Sequence, residues 1–154
     1  MIDTPQIVQS EAQITAVIRC SVPRQEIQKV MDPAIREVMS AVLDQGIGPA
    51  GPLYSYHWRM TPDRFDFEVG VPVRQPVKPV GRVQPSELPA TTVARTIYHG
   101  PYEGLGGAWG EFQAWIEEQG HKPALDLWER YVAGPEVSRD PADWRTELNR
   151  PLAP

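Results

Sequence analysis

The sequence predicts an α+β fold built from two β-α-β-β units, with antiparallel strands covered on one face by two helices and a pseudo-two-fold between the halves. Three observations predict it. Gln45-Gly46-Ile47-Gly48-Pro49-Ala50 recurs as Gln119-Gly120-His121-Lys122-Pro123-Ala124, in each case after a helical stretch and before an aromatic-rich strand. Phe65 to Val73 lines up with Trp144 to Leu152, with aromatic, glutamate, proline and terminal aliphatic residues coinciding. Pro23 and Pro101 both close an apolar strand and open a helix. Three matches in one order point to duplication. Repeat one spans about 6–73, a linker 74–90, and repeat two about 91–152, within one domain over 1–154.

Each element follows from its residue pattern. Residues 6–22 alternate in part, with Ile14, Ala16, Ile18 and Cys20 on one side, which predicts a strand. Ile27, Val30, Met31, Ala34, Ile35, Val38, Met39, Val42 and Leu43 recur at helical steps and stop before Gly46, a natural C-cap. Asp32-Pro33 has the chemistry of an N-cap followed by a first-turn proline, so a short turn is expected first and the main helix from about Pro33. Strands follow near 52–60 and 65–73. The second half predicts a strand near 91–99, a helix from about Pro101 to Gln119, and strands near 125–132 and 145–150. That helix carries Leu105, Ala108, Trp109, Phe112, Trp115 and Ile116 as its apolar stripe. Pro76, Pro79, Pro85 and Pro89 make the linker too proline-rich for a central strand. Residues 134–143 read as a surface loop by composition.

Composition narrows the function. A net charge of −5 and a pI near 5.2 argue against a nucleic-acid groove, which needs clustered Lys and Arg to meet phosphates. The single cysteine, Cys20, allows no intrachain disulfide, fits a reducing compartment, and reads as a structural thiol. No stretch near Met1 has the basic-then-apolar pattern of a signal peptide, and no run has the apolar length of a membrane span. A cytoplasmic protein with no membrane association is expected. His57, His99 and His121 are scattered without metal-ligand spacing. The glycines at 104, 106, 107 and 110 do not spell a phosphate loop, and no serine sits in a nucleophile elbow. No metal or cofactor is expected.

What remains is aromatic and acidic. Tyr54, Tyr56, Trp58, Phe65, Phe67, Trp128, Tyr131 and Trp144 crowd the strands. Phe65, Phe67 and Trp128 read as core, and the rest as core or as walls of a ligand cleft on the sheet face opposite the helices. On an alternating strand Glu129 points with Leu127 and Tyr131, away from Trp128 and Val132. A carboxylate among rings is costly unless donors or a cation meet it, and rings plus a negative charge suit an organic cation. From the residues alone a surface ion pair with Arg130 or another basic residue stands beside that reading. Glu147 and Glu68 are weaker acidic candidates, related by the repeat.

His99-Gly100-Pro101-Tyr102 entering a helix, Gln119-Gly120 leaving it, Trp128-Glu129-Arg130-Tyr131 on the next strand and Trp144-Arg145-Thr146-Glu147-Leu148 on the last resemble the GyrI-like family. This family supplies the small-molecule effector domain of some AraC-type and MerR-type regulators, and the similarity runs over nearly the whole chain. The resemblance implies a cleft along the pseudo-two-fold in which a glutamate, matching Glu129, meets lipophilic cations. It implies walls drawn from Tyr56, Trp58, Tyr102, Trp109, Tyr131 and Trp144, and Glu147 is expected beside them as a further ligand-binding residue. With no helix-turn-helix segment, the chain looks like a stand-alone member without direct DNA contact. Three functions are then expected, in this order. The first is capture of an aromatic, hydrophobic and cationic small molecule. The second is cofactor-independent hydrolysis of cyclopropane-bearing DNA-alkylating natural products for self-protection, with Glu129 as base and Tyr131 or Tyr102 as donor. The third is contact with a protein partner such as a topoisomerase. The sequence leaves the ligand, turnover and oligomeric state open.

Overall fold

The computed structural model describes residues 1–60 and 63–153, without the side chains of Gln28, Arg59 and Met60; Pro154, the last residue of the expected domain, lies outside the described residues. It forms two compact units, a continuous one, Glu11–Ala90, and a split one, Met1–Ser10 with Thr91–Pro154. β1 (Gln6–Gln9) belongs to the split unit. The continuous unit runs β2 (Gln13–Pro23), a 3-10 turn at Arg24–Glu26, α1 (Ile27–Asp44), β3 (Tyr54–Met60), β4 (Arg64–Pro72) and β5 (Gln84–Leu88). The split unit adds β6 (Thr92–His99), a 3-10 turn at Tyr102–Gly104, α2 (Leu105–Glu118), β7 (Leu127–Ala133), a 3-10 turn at Pro141–Asp143 and β8 (Arg145–Pro151). The class is α+β, as expected.

In the continuous unit the antiparallel order is β3-β4-β2-β5. Alternation along β2 and β4 turns Ala16, Ile18, Phe67, Val69 and Val71 toward Ala34, Val38, Ala41 and Val42 of α1, and all are buried. The expected helix start at Pro33 is corrected, since Pro33 lies inside a helix that runs unbroken from Ile27. Proline removes one backbone donor there. The apolar stripe through Ile27, Val30, Met31 and Ala34 continues across it and packs on the core, which holds the helix together. The expected linker also holds a strand, β5, paired with β2 through Pro85↔Ala16. β5 ends the order of its unit, the position where a missing N–H is tolerated.

In the split unit the order is β1-β6-β8-β7, again antiparallel. The single strand expected over 6–22 is therefore two. Ser10 ends β1, its backbone N–H and its Oγ both donating to the Thr91 carbonyl while Oγ accepts from the Thr91 N–H (2.8, 3.1 and 3.0 Å), which fastens β1 beside β6 instead of extending it into β2. Ala94, Tyr98 and Leu148 pack under Ala108, Phe112 and Ile116 of α2.

Both helices close on the same arrangement. Gly46 and Gly120 take φ of 67° and 81°, a left-handed conformation that favours glycine. The Gly46 and Ile47 N–H groups donate to Leu43 and Val42, and those of Gly120 and His121 to Glu117 and Ile116. This is the Schellman pattern, which satisfies carbonyls left over at a helix end. Beyond each cap, Ala50 donates to Pro72 and Ala124 to Pro151, both at 2.8 Å. Among the described residues no helix is long and apolar enough to cross a membrane.

Candidate functional site

Register decides which way each side chain of β7 points. Glu129 lies opposite Leu148, Tyr131 opposite Thr146, and Arg130 opposite Glu147. Paired residues of an antiparallel ladder share a face. Because Leu148 packs beneath α2, Glu129 and Tyr131 project from the face that α2 covers. Glu129 is therefore not on the sheet face opposite the helix, where the ligand cleft is expected from sequence. That second face of the split unit carries Trp128, Arg130, Glu147 and Asn149, with Trp128 and Asn149 buried.

Glu129 is held by two neutral donors. Trp109 Nε1 on α2 donates to Oε2 at 2.6 Å, and the Tyr131 hydroxyl donates to Oε1 at 2.8 Å. Burial pushes the Glu129 carboxyl above its ordinary range, while the indole and phenol donors pull the other way. The donors orient the carboxylate without cancelling its charge. A wall of rings continues outward from Tyr131. Tyr102 meets Tyr131 edge-on at 5.9 Å between centroids and lies 5.0 Å from Trp144. Burial and the charges of Glu136 and Glu129 push the Tyr102 phenol up, so it stays protonated. Trp109 also rests against Phe112 at 5.7 Å. Thr146, across from Tyr131, is fully buried and its hydroxyl has no hydrogen-bond partner among the described residues. A desolvated carboxylate with uncharged donors and stacked rings favours an organic cation, whose charge lowers the cost of ionisation and whose apolar surface meets rings.

Of the residues expected at the site, Glu129, Tyr131, Trp109, Tyr102 and Trp144 come together. Glu147 does not. It lies on the other face, where Arg95 and Arg130 each approach Oε1 at 3.3 Å and Asn149 donates to it at 3.0 Å. The ion pair with Arg130 weighed for Glu129 is thus made by Glu147 instead, and it is largely buried. Tyr56 and Trp58 belong to the continuous unit, where Tyr56 pairs with Glu68 on the face turned away from α1.

His57 is a core residue, stacked on Phe67 at 5.1 Å and edge-on to Phe65 at 5.7 Å. Burial lowers it to about 4, so it is neutral near pH 7, with Nε2 3.2 Å from the Ser55 hydroxyl. Cys20 is half-buried against the core and burial raises its thiol, which fits a structural role. Phe67 and Trp128 are buried, as expected. Among the described residues no group of three or more His, Cys, Asp or Glu could hold a metal. Sequence reasoning missed Ser138, whose carbonyl accepts from Trp144 Nε1 at 2.9 Å and sets that ring against Tyr102. A backbone acceptor leaves no side-chain signal to read. A separate groove of about 430 Å³ lies between the first residues and α2, lined by Ile2, Asp3, Glu111, Trp115 and Glu118 among others.

Comparisons agree with this architecture. The C-terminal domain of EcmrR matches with a TM-score of 0.84 at 24% identity, over 97% of each chain. EcmrR in its DNA complex matches with a TM-score of 0.83, and there the chain spans 57% of the EcmrR length. SAV2435, solved bound to tetraphenylphosphonium, matches with a TM-score of 0.73 at 13% identity, over 98% of this chain and 94% of that one. A hydrolase from Listeria innocua matches with a TM-score of 0.65 at 13% identity, over 97% and 91%. At these identities the likeness is one of fold. No curated protein sequence matches the chain. The model of the GyrI-like small molecule binding domain matches residues 3–153, nearly the full length, and the chain belongs to that family.

Proposed function

We propose that the chain binds aromatic, lipophilic cations, with Glu129 as the recognition charge and Tyr131, Trp109, Tyr102 and Trp144 as the surrounding rings. The observation that carries the proposal is the pairing of a desolvated carboxylate with two neutral donors at 2.6 and 2.8 Å. A structural acid is ordinarily matched by a cation, as Glu147 is by two arginines. Glu129 is oriented by donors that bring no countercharge, which leaves the compensating charge to a cationic guest. The tetraphenylphosphonium bound to SAV2435 is a ligand of this chemistry on the same fold, and it supplies a probe. The matched caps of the two helices support the duplication read from the sequence.

Tetraphenylphosphonium is expected to quench the fluorescence of the five tryptophans. Glu129→Gln keeps the shape and removes the charge, its amide oxygen still accepting from Trp109 while its amide nitrogen donates to a turned Tyr131 hydroxyl. It should weaken tetraphenylphosphonium by roughly 10- to 100-fold, as expected for losing one partly desolvated charge pair, and leave neutral triphenylphosphine oxide within about two-fold. Equal losses for both probes would remove Glu129 from charge recognition.

A hydrolase reading is favoured by one feature, the raised carboxyl of Glu129 beside the Tyr131 phenol. A carboxyl shifted toward neutrality can accept a proton from water and return it. Incubation with a cyclopropane-bearing alkylating compound, followed by mass spectrometry for a water-added product, distinguishes turnover from capture.

A further inference from the structure

The continuous unit holds a second carboxylate among rings, on the face turned away from α1. Glu68 pairs across the sheet with Arg19 on one side and Tyr56 on the other. Only 6% of the residue is exposed, and burial raises its carboxyl, with Ser86 and Arg19 opposing. The Ser86 hydroxyl donates to Oε1 at 2.6 Å. Oε2 faces Arg19 Nε at 3.6 Å, outside hydrogen-bond distance, and accepts no hydrogen bond from the described residues. The Arg19 guanidinium lies 4.4 Å over the Trp58 ring, and Tyr56 meets that ring edge-on at 6.2 Å. Meanwhile 59% of the Arg19 side chain is exposed.

A planar cation thus sits on an indole and forms an ion pair with a buried carboxylate at 3.6 Å, without a hydrogen bond between them. Arg19 is tethered to the strand facing Glu68, and its tether limits how it can present its N–H groups. A free amidinium carries two parallel N–H donors that match a carboxylate edge, and it can slide along the indole until both are made. Contacts of the kind Arg19 makes are weak when half in water.

We propose that Glu68, Trp58 and Tyr56 form a second cation site, specific for planar amidinium or guanidinium compounds, and that Arg19 is its built-in, displaceable occupant. The site is carried by residues that play no part in the Glu129 reading and stands or falls without it.

Benzamidine, read by calorimetry and tryptophan fluorescence on the whole chain, tests the proposal. Arg19→Ala vacates the site and should tighten benzamidine by roughly ten-fold, the weight of an exposed ion pair and ring contact. Arg19→Met, which keeps the apolar stem over Trp58 and removes the charge, should fall between wild type and Arg19→Ala. Adding Glu68→Gln to Arg19→Ala should abolish the gain, Glu129→Gln should preserve it, and neutral benzamide should bind no variant better than wild type. The proposal is overturned if neither Arg19 variant gains affinity, if the gain survives Glu68→Gln, or if benzamide gains equally.

Discussion

Glu129 of the split unit and Glu68 of the continuous unit are both desolvated carboxylates on antiparallel strands beside aromatic rings, yet their surroundings differ in kind. Glu129 faces the helix of its unit and receives an indole N–H and a phenol O–H, neither of them charged. Glu68 faces away from its helix and shares its space with a serine hydroxyl and the guanidinium of Arg19. Neutral donors orient an anion while leaving its field intact, whereas a neighbouring cation cancels that field and fills the volume. The difference teaches that burial of an acid does not by itself decide how a guest is met. Neutral donors leave the place of a cation open, whereas a built-in cation has to be displaced from it first.

Three measurements would break or sharpen this contrast. The largest effect is expected from His57, the neutral counterpart in the continuous unit. Its folded value of about 4 lies below the ordinary 6.5, so between those values the unfolded chain holds the extra proton. Stability should therefore be intact above pH 6.5 and fall as the pH drops toward 4, by up to about 3 kcal/mol. Urea midpoints for wild type and His57→Gln across that window should converge at low pH; parallel curves would show that His57 does not titrate late.

Next comes Glu129, with the opposite sign. Its folded value is raised, so the native state keeps its proton to higher pH than the unfolded chain does. Stability is fully present below the ordinary carboxylate value and falls as the pH rises through the raised one, with a slope of at most about 1.4 kcal/mol per pH unit. Glu129→Gln should lack that fall. Tetraphenylphosphonium should bind with proton release in the same window, and its affinity should drop as the pH is lowered. A flat affinity profile would mean that the charge is not what the guest meets.

The smallest effect concerns the helix ends. Gly46→Ala and Gly120→Ala introduce a methyl with nothing within 4 Å of it, so the expense is conformational alone. Each should lose about 1 kcal/mol, and by nearly the same amount, because the caps are alike. Unequal losses in thermal unfolding would show that the two ends carry different loads.

Much of this was legible in residue order because it is local. Helical spacing identified both apolar stripes, glycine marked both caps, and strand parity correctly grouped Glu129 with Tyr131 and opposed it to Trp128. Parity does not say which face a helix covers, so Glu129 was expected on the side opposite to the one it occupies. Tyr56 and Trp58 were grouped with it through the family resemblance and Glu147 as a weaker acidic candidate, and register separates Glu147 from it. Pro33 has the signature of a helix start, but continuous burial on either side of it decided otherwise. The break between β1 and β2 depends on a partner some eighty residues away, at Thr91, which no local pattern carries.

That distant pairing bears on the order in which the protein takes shape during synthesis. Residues 11–90 form an unbroken stretch in which β3, β4, β2 and β5 pair side by side, so this part can close once it has left the ribosome. The opening segment must wait, because its partner β6 appears roughly eighty residues later, and the sheet around β6 is finished only when β8 emerges. The half bearing Glu129 then matures after residues 11–90, and β1 stays an unpaired strand in need of shelter while they are made.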